Sequence, residues 1–397
     1  MFLDAIRRRN PKLIECAIHL HQEGRIPANS YVIDLDTVEA NVRTMAGAAR
    51  KLGLKIFAMT KQMGRNGSFC RAVKKGGIDK AVAVDMECAR ACRKAGLSIG
   101  HLGHLVQVAH AETSAAAAMT PDYWTVFNVE KAAEAGQVNA AMGRSQAILA
   151  RIVAEGDRFY RGHEGGFDSN KILETAELID RIDGASFAGI TTFPALLFDQ
   201  DTRKVTPTPN LATLDRARQA LAGTGRTAIE VNAPGTSSTV AFSILADAGA
   251  TQVEPGHGLT GTTPLHAFDD LPESPAVVYV SEISHYHGGE AYCFGGGLYL
   301  DPVFPKYPVK AIISSEPTTS ADALATVDIP PPEAIDYYGM VDASGRVKPK
   351  IGDTVVFGFR PQVFFTRAYV VGVSGIGSNR VAAEAVHDSH GREVKWP

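Results

Sequence analysis

Cysteine is scarce in this chain. Only Cys16, Cys70, Cys88, Cys92 and Cys293 occur in 397 residues, an odd count without a CxxC pair. That excludes a disulfide scaffold and fits a reducing compartment. Charge of one sign is also lacking. Lys+Arg 40 against Asp+Glu 43 leaves a net charge of -3, so neither a nucleic-acid surface nor a polybasic membrane anchor is favoured. No apolar run approaches the eighteen or so residues of a membrane span. The N-terminal stretch Met1 to Asn10 lacks the charged-then-apolar order of an export signal, so the expected location is the cytoplasm. What is abundant is core material. Hydrophobic residues make up 45% of a chain long enough for two domains.

The pattern predicts a helix from Leu3 to about His21, a turn at Pro27 and a short apolar run at Tyr31–Asp34. Asp36 with Glu39 then has the spacing of a capping box, and Val38, Val42, Met45, Ala49 and Leu52 recur at helical spacing. Eight short apolar runs follow: Ile56–Met59, Ala81–Val84, Ser98–Leu102, Trp124–Phe127, Ile148–Ala154, Phe187–Thr192, Ile229–Val231 and Thr251–Val253. Helix-like stretches separate most of them. Runs this short and non-alternating suit parallel strands buried on both faces. Eight β-α repeats predict an α/β fold, a (β/α)8 TIM barrel over residues 1–265 with the N-terminal helix at 1–30. The first β-α turn lacks a GxGxxG, which leaves an open dinucleotide-binding sheet with little support. From about Leu265 strands alternate with Pro- and Gly-rich turns, which predicts a C-terminal all-β domain over 266–397.

Active sites of such barrels lie at the C-terminal ends of the strands. The residues there are Lys61, Asp85, Gly103–His104, Asn128, Glu155–Asp157, Thr191–Thr192, Asn232 and Glu254. Lys61 directly follows an apolar strand, where partial desolvation would lower its pKa and make its amine nucleophilic. After strand seven comes Asn232-Ala233-Pro234-Gly235-Thr236-Ser237-Ser238. After strand eight comes Glu254-Pro255-Gly256-His257-Gly258. Gly- and hydroxyl-rich loops at these two positions are where barrels commonly hold a phosphate. With a strand-one lysine, they point to a phosphate-bearing carbonyl compound.

The order Lys61, Gly189-Ile190-Thr191-Thr192, a Ser/Thr loop and Glu254-Pro255-Gly256 before a β domain resembles the alanine-racemase-like, fold type III pyridoxal-phosphate enzymes. The resemblance covers nearly the whole chain. Thr60 to Asn66, Glu230 to Ser237 and Ala291 to Tyr299 look closest to the YhfX type. It implies a pyridoxal 5'-phosphate cofactor held covalently by Lys61, with phosphate contacts from Arg65, Thr236, Ser237, Ser238, Gly256 and His257. Asn232 joins this cofactor set. Arg161 resembles the arginine beside the phenolic oxygen, with Arg158 competing. Glu254 stands where alanine racemase has an arginine facing the pyridine nitrogen, as in the fold's decarboxylases. A carboxylate there favours the protonated ring, a stronger electron sink.

For a second proton-transfer group the candidates are His285, Tyr286 and His287. Three readings stay open: acid/base work by this segment, a metal site using both histidines with Cys293, or a plain surface hairpin. Met340 and Asp342 resemble a segment that meets the substrate carboxylate, and Phe193, Pro194 and Phe198 could shape the pocket. The expected activity is an amino-acid racemase or epimerase that takes the Cα proton of the cofactor-bound substrate. The alternative is a pyridoxal-phosphate lyase, either a metal-dependent D-amino-acid dehydratase or aldolase, or a decarboxylase. The resemblance also implies a homodimer with a shared active site, and a small-molecule substrate without nucleic acid or membrane.

Overall fold

The computed structural model describes residues 1–331, 333–378 and 380–396. The chain forms two compact units that interleave along the sequence. One comprises Arg43–Thr60 and Gly77–Gly256. The other comprises Met1–Val42, Lys61–Gly76 and His257–Pro397.

In the first unit the eight apolar runs are the eight parallel strands of a (β/α)8 barrel. They are Lys55–Ile56 continuing as Ala58–Met59, then Lys80–Ala83, Ser98–Leu102, Tyr123–Val126, Gln146–Val153, Ala185–Thr191, Glu230–Asn232 and Gln252–Val253. The ring closes because Ile56 pairs with Val253 on one side of the first strand, while Ala58 pairs with Ala81 on the other. Full burial of Ala81–Ala83 and Ile148–Ile152 explains why these strands read as continuous apolar segments. The third strand carries a bulge: Ala81 faces Ile99 but Val82 faces His101, so Gly100 is skipped. A Cβ on Gly100 would collide with the Phe57 ring. Bulges of this kind re-aim a side chain, and here the residue that follows is His101. Two polar strand-end residues prove to be helix caps. Asp85 Oδ1 accepts the Cys88 N–H at 2.6 Å, and Asn128 Oδ1 accepts that of Lys131 at 2.9 Å.

The second unit is built on a mainly antiparallel nine-stranded sheet. Its order is Glu290–Phe294, Tyr338–Asp342, Leu324–Asp328, Lys310–Ser314, Thr354–Phe357, Val277–His287, Ser30–Asp34, Tyr369–Ser374 and Ala382–His387. Val277–His287 also pairs with Glu290–Phe294, which closes the first six strands into a small barrel. The run at Tyr31–Asp34 lies inside this sheet. It pairs antiparallel with Val277–Val280 and parallel with Tyr369–Val373.

The N-terminal helix is two helices, Phe2–Arg9 and Pro11–Gln22. Pro11 has no N–H to continue the first helix but suits the first turn of the second. Both helices cover the sheet with Leu3, Ile6, Leu13, Ile14 and Ile18 against Val32, Val278, Val280, Val356 and Val371. Each such burial contributes about 1.5–3 kcal/mol. The capping residue of the next helix, Leu35–Lys51, is Asp34 and not Asp36. Asp34 accepts the Thr37 N–H at 3.1 Å, while Asp36 accepts the Gly375 N–H at 2.6 Å.

Candidate active site

The alternation of side chains along the barrel strands brings one polar set into the barrel interior. Glu254, one residue beyond Gln252–Val253, is 4% exposed. Its Oε1 accepts from His101 Nδ1, and from Asn232 Nδ2 at 2.8 Å. His101 Nε2 meets Thr125 Oγ1 at 2.5 Å. His104 Nε2 stands 3.7 Å from Glu254 Oε2. Among the described residues that second oxygen has no hydrogen-bond partner. Burial alone would raise the carboxyl's pKa. The charges of His104 and His101 and the bonds from His101 and Asn232 outweigh it and hold Glu254 down at about 2. His101, His104 and Glu254 offer ligand atoms within 4.8 Å of one another. His101 already commits both ring nitrogens, so this is a hydrogen-bonded carboxylate rather than an open metal cage. Asn232 is committed too: it donates to Gln252 and Glu254, and its oxygen accepts from Thr191 Oγ1 at 2.7 Å. Its side chain supports Glu254.

A residue that the sequence reading missed lies on the fifth strand. Arg151 is 1% exposed. Its guanidinium packs 4.8 Å from the Phe127 ring centroid and 5.7 Å from that of Phe159. Nη2 donates to the carbonyl of His163 at 2.5 Å and reaches that of Phe193 at 3.5 Å. Nε and Nη1 have no partner among the described residues. Burial lowers this guanidinium to about 10. Arg161 and Arg158, the two arginines expected beside a bound anion, are exposed in the following loop. The signal for Arg151 was its place: one charge in the apolar strand Gln146–Val153 must find a partner. Beside it Phe193 packs against His104, Tyr160 and His163, with centroids 5.7–6.0 Å apart. Phe198 belongs to the hairpin Leu196–Asp199 with Lys204–Pro207.

The loop after strand seven folds back on that hairpin. Ala195 N donates to Pro234 O at 2.8 Å and Thr236 N to Leu196 O at 3.2 Å. Gly235 fits because a Cβ would come within 2.7 Å of the Leu196 backbone. Ser237 Oγ donates to Gly235 O at 3.2 Å. Ser238 Oγ is buried and has no partner among the described residues.

In the other unit Lys61 opens a single 3-10 turn, Lys61–Met63, and is half-buried. Its Nζ lies 5.2 Å from the Phe364 ring centroid, and the Arg65 guanidinium 5.9 Å from the same ring. Arg65 is buried in the left-handed region (φ 55°). Gly391 packs on it so closely that a Cβ there would lie 2.7 Å from the Arg65 carbonyl. His257, immediately after Gly256, is buried and its Nε2 donates to Pro361 O at 2.8 Å. Burial, the Arg360 charge and that of Lys61 push its pKa well down, so the ring is neutral.

On the sheet of this unit His285, His287, Tyr292, Met340 and Asp342 share one face, since Tyr292 pairs with both His285 and Met340, and Glu290 with both His287 and Asp342. His285 stacks on Tyr292 with centroids 4.7 Å apart, and its Nδ1 meets Ser284 Oγ at 2.9 Å. His287 is exposed. Tyr286, 49% exposed, bonds the Pro349 carbonyl. Cys293 follows Tyr292 and so faces the opposite side, buried; burial raises its thiol to about 11. Among the described residues the two histidines and Cys293 therefore do not assemble as a ligand set.

The alanine racemase N-terminal domain family matches residues 33–264, and the YhfX-like C-terminal domain family matches residues 278–382. The protein YhfX of Escherichia coli (strain K12) is 38% identical over 394 residues, covering 99% of this chain and all of that one. The chain belongs to the YhfX family. Solved structures with the same fold include D-threonine aldolase from Filomicrobium marinum (TM-score 0.68, 16% identity, 93% of this chain and 96% of that chain). Alanine racemase of Clostridium difficile 630, in complex with cycloserine, is another (TM-score 0.64, 16% identity, 92% and 99%). D-threo-3-hydroxyaspartate dehydratase from Delftia sp. HT23 is a third (TM-score 0.61, 15% identity, 90% and 97%). At these identities the shared feature is the fold. The family reached by the alignment is the one the motifs around Lys61, Gly235 and Glu254 resemble.

Proposed function

We propose that this YhfX-family chain is a pyridoxal-phosphate enzyme that removes and returns the Cα proton of an amino acid, as a racemase or epimerase. The observation that carries this reading is the buried Glu254 carboxylate, kept ionised by His101, His104 and Asn232, with Oε2 left without a hydrogen-bond partner among the described residues. Such an oxygen fits a protonated ring nitrogen. The Ser238 hydroxyl, without a hydrogen-bond partner among the described residues, fits a phosphate oxygen, and the Arg151 Nε and Nη1, likewise without one among them, fit an anionic oxygen. Bound here, pyridoxal phosphate would supply the electron-withdrawing ring that acidifies the Cα–H bond.

The chain's own residues then divide the work. Lys61 Nζ would hold the cofactor through its aldehyde group and would serve as one proton carrier. Glu254 Oε2 would hold the proton on the ring nitrogen, and Ser237, Ser238 and Thr236 would hold the phosphate with Gly256 and His257. His257, neutral and tied to Pro361, offers its backbone rather than a charge. Arg65 would supply a cation for the phosphate. The second proton carrier comes from His285, His287 or Tyr286 of a second copy in a homodimer. Burial of Arg151 makes it a better partner than Arg161 for a phenolate or carboxylate.

The test is an amino-acid panel in deuterated water with the yellow protein. Cα deuteration with optical inversion is expected, and Lys61→Ala should abolish both the borohydride-fixable chromophore and the exchange. Exchange without inversion, or release of an oxo acid, selects a lyase instead. A colourless protein that does not bind pyridoxal phosphate refutes the reading.

A further inference from the structure

The barrel interior holds a second carboxylate that the reaction does not use. Glu230 and Asn232 lie two residues apart on one strand, Gln252 and Glu254 two apart on the next, so all four project to the same side. They form one continuous chain of hydrogen bonds. Gln252 Nε2 donates to Glu230 Oε2 at 2.9 Å, and Asn232 Nδ2 donates to Gln252 Oε1 at 3.2 Å and to Glu254 Oε1 at 2.8 Å. At the far end Glu230 Oε1 takes Lys55 Nζ and the Tyr123 hydroxyl, the latter at 2.8 Å, while Oε2 takes Thr251 Oγ1 at 2.7 Å.

We infer that Glu230 is a positioning residue for Glu254, setting through the amides of Gln252 and Asn232 which atom Asn232 presents to the Glu254 carboxylate. A carboxylate only accepts hydrogen bonds, whereas a side-chain amide has one accepting and one donating end. Glu230 therefore fixes the NH2 of Gln252 toward itself and the oxygen of Gln252 toward Asn232. That oxygen in turn holds the Asn232 NH2 in place, with its second hydrogen on Glu254. Thr191 imposes no orientation, because its hydroxyl can donate or accept.

Glu230→Gln breaks the relay in a defined way. Lys55 has only donors, so it keeps the new amide's oxygen, and the new NH2 faces Gln252. The relay requires Gln252 to turn over and Asn232 to turn with it, against the hold of the Glu254 carboxylate on the Asn232 NH2. The Asn232 oxygen now meets Glu254 Oε1, a pairing that is tolerated only when Glu254 carries a proton. Losing one donor to a buried carboxylate corresponds to an upward shift of about one to two pH units in the Glu254 titration. Through space alone, removing the Glu230 charge acts in the opposite direction and lowers it. The titratable groups facing the two carboxylates are His101 and His104 for Glu254, and Lys55 and Tyr123 for Glu230.

The experiment is carbon-13 NMR of the glutamate carboxyls of the full-length protein as isolated, titrated with acid, with the Glu254 signal assigned by its loss in Glu254→Gln. The relay predicts an upward shift in Glu230→Gln that is reversed in Lys55→Met/Glu230→Gln, where the amide at 230 can turn its oxygen to Gln252. An unchanged or lowered titration, or an upward shift that the double variant keeps, overturns it. If Glu230→Gln does not fold, neutron diffraction on the wild-type protein decides. Deuterons on Gln252 toward Glu230 and on Asn232 toward Glu254 support the relay, and the opposite orientation overturns it. The catalytic meaning of the relay rests on the proposed cofactor reaction. The carboxyl titration does not, so each can fail without the other.

Discussion

Replacing Arg151 by methionine distinguishes a ligand anchor from a structural strut. The guanidinium is 1% exposed and burial brings it down to about 10, an unfavourable charge burial of about 3 kcal/mol. Against that stand a charge-assisted bond to the His163 carbonyl and a longer one to Phe193, together about 1.5–3 kcal/mol. Packing on Phe127 adds about 1 kcal/mol. These terms nearly cancel. The unliganded Arg151→Met protein should therefore lie within about 1 kcal/mol of the wild type in urea denaturation. Its binding of pyridoxal phosphate, or of an anionic substrate to the loaded protein, should weaken about ten- to hundredfold, the loss of one charged hydrogen bond to the ligand. Differential scanning with and without ligand reads both quantities. A variant that is several kcal/mol less stable yet keeps the full ligand-induced rise in Tm would refute the anchor.

Three further outcomes are expected. The Glu254 carboxyl titrates at about 2 when folded and near 4.5 when unfolded, so its stabilisation is complete above about pH 4.5 and is lost as pH falls toward 2. Urea midpoints should fall across that window, and Glu254→Gln should flatten the decline. Asn66→Ala removes the cap on helix Gly67–Lys75, whose Phe69 N–H bonds Asn66 Oδ1 at 2.9 Å, and also removes the contacts of Asn66 Nδ2 with the Val370 carbonyl and His387 Nδ1. A loss of about 1.5–3 kcal/mol should appear in the denaturation curve. Two inactive proteins, Lys61→Ala and His285→Asn/Tyr286→Phe/His287→Asn, should regain roughly a quarter of wild-type activity when refolded together. No regain would exclude a site shared between copies.

The barrel was legible because its strands are buried on both faces and read as plain apolar runs; each of the eight runs coincides with a strand to within about two residues. The sheet of the other unit was less so. Leu324–Asp328, Tyr338–Asp342 and Ala382–His387 went unnoticed, since their half-exposed faces mix polar and apolar residues in short stretches. Tyr31–Asp34 was seen as an apolar run, but its partners lie some 245 and 340 residues away, and nothing local encodes such pairing. Of the candidate site, Lys61, Glu254 and the serine loop were proposed from their places after strands. Arg151 was missed because it sits within a strand, where a lone buried charge is visible only against its neighbours, and the bulge that aims His101 at Glu254 leaves no mark in the sequence.

That distant pairing has a consequence for biogenesis. The strand Ser30–Asp34 leaves the ribosome early, yet both of its neighbours are made late, the second only once Tyr369–Ser374 has emerged. During most of translation it is an unpaired apolar edge, the kind of segment that chaperones hold and that aggregates when they do not. Closing so long a loop is entropically unfavourable and slow. Yield in the cell should thus depend more on holdase supply than the stability of the finished protein would imply.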